Sequence, residues 1–534
     1  MKSIDGNLMR AIDALAARRG ISVLVIGLLA FAGSVTIGLI GGIAGPKVHD
    51  EFSYLLAADT FARGRLTNPT HPLWIHFESV HIIHLPTYMS KFPPAQGAIL
   101  ALGQLLTGYP LSGVWLSMGL MCAAICWMLY AWVPPRWALI GGLFSAVHPI
   151  VGLGGYWAQS YWGGALAATG AALVLGGVRY ALKDPSIHRS ILTGVGLAVL
   201  ANTRPYEGLL VSICAGSMLL AGLMRASDLN WNPVRRKIVL PLVLIGTVAL
   251  AWMGFYNFRL TGNMFRLPYQ VHEAAYGVAP LFVWQKPVST PTYRHIRLRQ
   301  FHTITELTFY AEKRSLAGFV KVNADAFLLY GFFVGNILTI PLFINFCALA
   351  RWTLRNRYAQ AAVLTYAVVT IGLMIETYSH IHYWAPVVPF NYYFTVQAIR
   401  LWRWRDRRIR PFIVPIMLCL VVMLLTIMVR KGIREESNPL SAHAQRANLM
   451  AKLKQQAGRH VVLVGYGPGQ SEHGEWVYNL ADIDSAKIVW AHDMGKYENC
   501  KLVDYFKNHA IWLLEIERDD APVKVTSFPR HSCQ

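Results

Sequence analysis

The chain has 534 residues, 54% of them hydrophobic and only 14% charged. Several apolar runs approach the roughly 20 residues needed to cross a bilayer, which excludes a soluble protein and reads as a polytopic membrane protein. The net charge of +21 would suit nucleic acid, but residues 436–534 carry 11 Lys+Arg against 12 Asp+Glu, so the excess lies in the apolar part, mostly in short loops. That pattern is positive-inside orientation, not a nucleic-acid footprint.

Residues 1–20 are amphipathic and carry Lys2, Arg10, Arg18 and Arg19. No small-residue cleavage site follows a short apolar core, so this is an uncleaved anchor rather than a signal peptide. Residues 21–44 form the first predicted span. Its basic flank puts the N-terminus in the cytoplasm and the loop 45–92 outside. That loop begins with the adjacent acids Asp50 and Glu51, holds five histidines (His49, His71, His76, His81, His84), and closes on Lys91 before Pro93 and Pro94. Residues 50–64 have helical spacing, with Phe52, Leu55, Leu56, Ala58, Phe61 and Ala62 as the apolar side. This predicts an interfacial helix with both acids at its positive end, where ionised carboxylates are favoured. Tyr54, Trp74, Phe77 and Tyr88 suit the headgroup region.

Residues 93–107 are apolar but short, and Gly108, Tyr109 and Pro110 break them from 111–132. If 93–107 is a partial or re-entrant helix, every later basic loop (179–189, 225–237, 351–357, 400–410) falls inside. Irregular backbone at membrane depth must be buried or line a cavity, so this reading also predicts a cavity beside Pro93. The predicted spans are then 21–44, 111–132, 137–152, 162–178, 190–204, 207–224, 238–257, 324–349, 359–378, 384–400 and 411–429, about 11–12 transmembrane helices by the length criterion. Residues 156–162 (YWAQSYW), 202–207 (NTRPYE), 258–320 and 379–384 (SHIHYW) join the Asp50 loop on the outer face.

Residues 436–534 alternate in an α/β pattern: a helix over 437–457, a buried strand over 461–466 (VVLVGY), a strand over 488–491, a helix near 502–509 and a strand over 511–516. Gly465, Gly467 and Gly469 resemble a phosphate-binding turn, but no P-loop lysine follows, and a structural turn is the stronger reading. Of the seven cysteines, Cys122, Cys126, Cys214, Cys347 and Cys419 lie in apolar segments and read as small core residues. Cys500 and Cys533 are a candidate disulfide if the tail lies in an oxidising compartment.

An external carboxylate beside a membrane cavity, with cations around it, suits group transfer from a lipid phosphate. The carboxylate takes a proton from an acceptor hydroxyl, and Lys and Arg hold the leaving phosphate. The first span, the external Asp/Glu pair, the interfacial helix and the KxPP-like element at Lys91 together resemble the GT-C superfamily of polyprenyl-phosphate-sugar glycosyltransferases. The likeness points to its protein-mannosyltransferase and lipid A aminoarabinose-transferase branch. It covers residues 1–430 in architecture and 49–97 and 200–208 in motif. The many loop histidines and the compact α/β tail depart from the family pattern.

The resemblance implies an α-helical polytopic membrane protein, GT-C-like, residues 1–435, with a catalytic outer loop 45–92 and a long outer loop 258–320, and the alternating pattern of the tail adds a small C-terminal α/β periplasmic domain over 436–534. It implies an inverting glycosyltransferase on the outer face of a bacterial inner membrane, taking a polyprenyl-phosphate sugar donor to a glycan, lipid or protein acceptor. Asp50 corresponds to the family's catalytic acid, with Glu51 beside it, and Lys91 to the lysine near the donor phosphate. Arg204, Tyr54, His71, Arg259 and Arg266 are further candidates for substrate contact, Arg204 with Glu207 as a structural partner. No cofactor is expected. His380 and His382 are metal ligands by type, but they lie two apart with no tight ligand cluster around them, so no metal site is assigned. A flippase for lipid-linked sugars is the main alternative. It is disfavoured because there is no internal repeat and few acids lie within spans, Glu376 being the chief exception. A non-catalytic envelope scaffold would leave the acidic pair without a task.

Overall fold

A computed structural model describes residues 2–153, 155–225, 231–378, 380–405, 412–436, 438–470, 474–518 and 521–533. Eight helices among these are long and apolar enough to cross a membrane, and a ninth crossing exists if the pair Ile337–Ile344 and Phe346–Arg355, bent by 74°, counts as one span. The expected eleven or twelve therefore include shorter pieces. The 137–152 segment is a helix of 12 residues, Pro135–Ala146. The 190–204 segment is Ile187–Ala201, 15 residues. The 384–400 segment opens as a 3₁₀ turn, Ile381–Val387, before Val388–Arg405. The 324–349 segment is broken after Gly335. The first three fall short of a full span in length or apolarity, whereas in the fourth Leu316–Gly335 is long and apolar enough by itself and the bent pair follows it. Part of the basic loop 225–237, part of 400–410 and Ser379 lie outside the described residues.

Pro94–Thr107 is a helix of 14 residues that ends on Gly108 in the left-handed region, φ 79°. It is too short to span and folds back on Leu111–Trp132. The turn is tight enough that a Cβ on Gly113 would collide with the Ile99 carbonyl oxygen. Glycine is needed there for the two backbones to approach. On the opposite face of the helical body, Arg136 pairs with Asp13, and the Arg179 guanidinium lies 3.5 Å from the Tyr358 ring centroid.

The C-terminal region is a four-stranded sheet. Ile488–His492 and His509–Arg518 flank Arg459–Gly469 in parallel, and Lys524–Ser527 adds an antiparallel edge that the sequence pattern did not reveal. The continuous apolar run 461–464 is explained by two covered faces. Val461 and Leu463 pack against Leu56, Phe77, Ile82 and Tyr88 of the loop. Val462 and Val464 pack against Leu449 and Leu453 of the helix Ala442–Gln455. Alternation along the strand assigns each residue its side. The glycines after Val464 continue the strand, which runs to Gly469, and among the described residues no helix opens directly behind them. A Cβ on Gly467 would stand 3.0 Å from the Glu517 backbone, so this glycine serves sheet packing and not phosphate. Cys500 and Cys533 are bonded, with Cα atoms 5.2 Å apart. Cys122 and Cys126 are buried as expected, whereas Cys347 and Cys419 are exposed on the apolar helices, on surface that lipid would cover.

Candidate active site

The helix His49–Ala62 starts from the extended Val48 and carries Asp50 and Glu51 in its first turn. Successive helical residues point about 100° apart, so the two acids cannot share a direction. Asp50 lines a cavity of about 530 Å³ that lies beside Pro93 and Pro94. Glu51 turns the other way, is 2% exposed, and accepts from the backbone amides of Lys47 (2.7 Å), Val48 (3.4 Å) and Tyr161 (2.9 Å). Burial pushes its pKa up and those amides oppose the shift. Glu51 is thus a buried brace tying the helix start to the 156–162 loop. Its oxygens are engaged by those amides, and it does not line the cavity that Asp50 faces, so a catalytic role for it finds no support in this geometry.

Lys91 and Arg204 line the same cavity as Asp50, as does Tyr54, which stacks on Phe92 with centroids 4.7 Å apart. Lys91 Nζ donates to Glu273 Oε1 at 3.1 Å and sits 5.0 Å from the Tyr269 ring centroid. Burial acts to raise the Glu273 pKa, but Lys91 and His272 outweigh it and hold that carboxyl below its ordinary value. Arg204 lies 4.3 Å from the Tyr383 centroid and 3.8 Å from Glu207, an ion pair beyond hydrogen-bond reach.

Three candidates do not line the cavity. His71 is buried under the C-terminal sheet, its Nε2 3.1 Å from Asp484 Oδ1 and its Nδ1 accepting from the Leu73 amide at 2.9 Å. Its ring is engaged by the C-terminal region and lies away from the cavity. Arg259 and Arg266 are exposed, because the end of the Leu240–Thr261 helix presents Tyr256 and Asn257 to the cavity instead.

The structure adds groups that sequence reasoning did not assign. His81 Nε2 faces Asp50 Oδ2 at 3.8 Å. His81 is the one non-glycine residue in the left-handed region among those described, φ 67°. Such a backbone costs on the order of 1–3 kcal/mol. It is held by the Ser53 hydroxyl donating to its carbonyl at 2.8 Å and by the Lys91 amide at 3.2 Å. The strained residue aims its ring at Asp50, and burial, then Lys91, keeps that ring neutral well below the usual histidine range. Glu306 and Glu376 also line the cavity, and Lys313 Nζ donates to the Glu376 carbonyl at 2.6 Å. Trp162 stacks on His382 with centroids 4.7 Å apart. One signal was available for Glu273 and Glu306: they are two of only three acids in the basic stretch 258–320. Among the described residues no three His, Cys, Asp or Glu side chains converge in metal-binding geometry.

A second, largely apolar cavity of about 630 Å³ runs between Phe61, Ala98, Val199, Ile245 and Trp252. Pro94 and Asn202 line both cavities.

The fold has solved counterparts. The chain is similar to ArnT from Cupriavidus metallidurans in the apo state, at 13% identity and a TM-score of 0.53, over 91% of this chain and 92% of that one. It is equally similar to ArnT bound to undecaprenyl phosphate, at 14% identity, TM-score 0.53 and the same coverage. The chain has the GT-C fold. An oligosaccharyltransferase of Archaeoglobus fulgidus tethered with an acceptor peptide is also similar, at 11% identity and a TM-score of 0.47, over 92% of this chain and 68% of that one. No family model and no curated protein matches the sequence. The likeness covers 91% of this chain.

Proposed function

We propose that the chain is a GT-C glycosyltransferase that moves a sugar from a polyprenyl-phosphate donor to an acceptor hydroxyl on the outer face of a bacterial inner membrane. The observation that carries this reading is the shared cavity: Asp50, in the first turn of its helix, and two cations, Lys91 and Arg204, face it together, with Glu207, Glu306 and Glu376 also in its lining. The apolar cavity that shares Pro94 and Asn202 with it suits a prenyl chain. ArnT has been solved with undecaprenyl phosphate, a molecule of that class. The Cys500–Cys533 bond favours an oxidising, extracytoplasmic side for the sheet and for the loop that it packs on.

In this mechanism Asp50 takes the acceptor O–H proton as general base. The acceptor oxygen forms a bond to the anomeric carbon while the bond from that carbon to the phosphate oxygen breaks. The electron pair leaves with the phosphate, where Arg204 and Lys91 meet the growing charge. Attack opposite the leaving group inverts the anomeric centre. The sugar has aromatic faces within reach in Trp162, Tyr156 and Tyr383, all of which line the cavity.

The test is transfer of a labelled sugar from synthetic polyprenyl-phosphate sugars by the purified protein. Asp50→Asn keeps side-chain volume at a partly exposed site and is expected to fold normally while lowering transfer by at least about 10²-fold, the lower range for a general base. Wild-type turnover by a folded Asp50→Asn protein would overturn the assignment, and a carrier or scaffold would then be the better reading.

A further inference from the structure

The C-terminal region packs against the Asp50 helix and the loop after it, and the stretch 477–481 supplies several of these contacts. The Val477 carbonyl accepts from the Ser79 hydroxyl. The Asn479 carbonyl accepts from the Tyr88 hydroxyl at 2.9 Å, and the Ala481 amide donates to Asp59 Oδ2 at 3.0 Å. Between them, Tyr478 stacks flat on Phe52, centroids 4.2 Å apart and planes 4° apart. Its hydroxyl is hydrogen-bonded to His49 Nδ1 at 2.5 Å. His49 directly precedes Asp50, and its ring also meets the His81 ring edge-on at 6.0 Å. His81 is the residue whose Nε2 faces Asp50.

We infer that Tyr478 is a positioning residue for the transfer reaction, acting through His49 to fix the first turn of the helix and so the direction of Asp50. This inference rests on the glycosyltransferase reading. The physical reason is local. Helix ends fray because their first amides lack intrahelical partners, and Asp50 stands in that first turn. Glu51 braces the turn from the side of the 156–162 loop, and Tyr478 braces it from the side of the sheet. A catalytic group must be held within a fraction of an ångström of its productive position. The C-terminal region is on this view part of the catalytic apparatus, although none of its residues lines the cavity among those described.

Tyr478→Phe tests this in the full-length protein. The change keeps the stack on Phe52 and removes only the hydroxyl, so the fold is retained. The loss of one buried hydrogen bond is expected to lower kcat roughly three- to tenfold, with KM for the donor unchanged because Lys91 and Arg204 are untouched. His49→Phe should lower kcat similarly. The double variant should be no slower than the slower single one, since both remove the same bond. Asp484→Asn, which weakens the contact of the sheet with His71 far from the Asp50 turn, should leave kcat as in wild type. Unchanged kcat in Tyr478→Phe, a raised donor KM, or multiplying losses in the double variant would each overturn the inference. The glycosyltransferase reading fails separately, by absent transfer in wild type or by a fully active Asp50→Asn.

Discussion

Lys91 Nζ and Glu273 Oε1 meet at 3.1 Å, bridging the KxPP-like element and a short helix 182 residues further on. The lysine side chain is 4% exposed and the glutamate 21%. A buried cation needs such a partner, and a donor phosphate would compete with Glu273 for it.

Lys91→Ala should therefore do two things. Donor binding weakens, and Glu273 is left nearly buried without its cation, which costs about 1–3 kcal/mol of stability. Lys91→Arg should restore part of the transfer, while Lys91→Gln, which has no charge, should not. Donor titration of transfer and a thermal melt in detergent read the two effects separately. Equal activity in the Arg and Gln variants would mean that charge at this position is irrelevant.

Glu51 is expected to behave as structure, not chemistry. Glu51→Ala takes the acceptor from the amides of Lys47 and Val48 and from the buried amide of Tyr161. That should lower stability by about 1–3 kcal/mol, while Glu51→Gln keeps an acceptor oxygen and loses less. The melting temperature orders the variants. A Glu51→Ala protein that melts like wild type yet loses transfer would return the residue to a catalytic role.

Stability should fall in mild acid. Burial pushes His84 and His272 down to about 3 and His492 to about 4, from an ordinary 6.5. Below 6.5 the unfolded chain binds protons that the folded chain refuses, so the unfolded state gains as pH drops from about 6.5 towards 4. Glu475 opposes this, since burial pushes its carboxyl up to about 7, and its contribution is lost as pH rises from about 4.5 to 7. Burial also pushes Glu51 and Glu78 up, but it pushes His71, His76, His81 and His295 down with the other rings, so the rings outnumber the carboxyls and the melting temperature should be lower at about pH 5 than at about pH 7. A flat or reversed profile would show that these rings carry charge in the folded protein.

The Cys500–Cys533 bond closes a sequence separation of 33 residues. Chain entropy for a loop of that size gives about 3–4 kcal/mol. Cys500→Ser is expected to loosen the C-terminal sheet and to lower its resistance to protease before the membrane helices respond. Mass spectrometry of the unreduced protein from membranes should find the two cysteines linked. Two free thiols there would speak against an oxidising compartment and so against the proposed orientation.

Much of this protein is determined locally and was legible in the sequence. Apolar runs of membrane length, the basic loops, the Asp50–Glu51 pair ahead of a helical pattern and the buried strand at 461–464 depend on residues close in the chain, where periodicity is a direct physical signal. The break at Gly108 belongs to the same class, whereas Cys500 and Cys533, 33 residues apart, were a candidate pair that only the fold brings together. What the sequence could not decide is direction. Asp50 and Glu51 are equivalent as text, and only the turn of the helix sends one to the cavity and the other to the Tyr161 amide. His71 reads like any other loop histidine until the sheet is folded over it, and Arg259 and Arg266 look like phosphate ligands until the helix end faces them outward. Glu273 and Tyr478 lie 182 and 429 residues from Lys91 and His49. No spacing rule joins such pairs, because it is burial against the folded neighbour that makes each contact worth its cost, and that neighbour exists only once the chain has closed on itself.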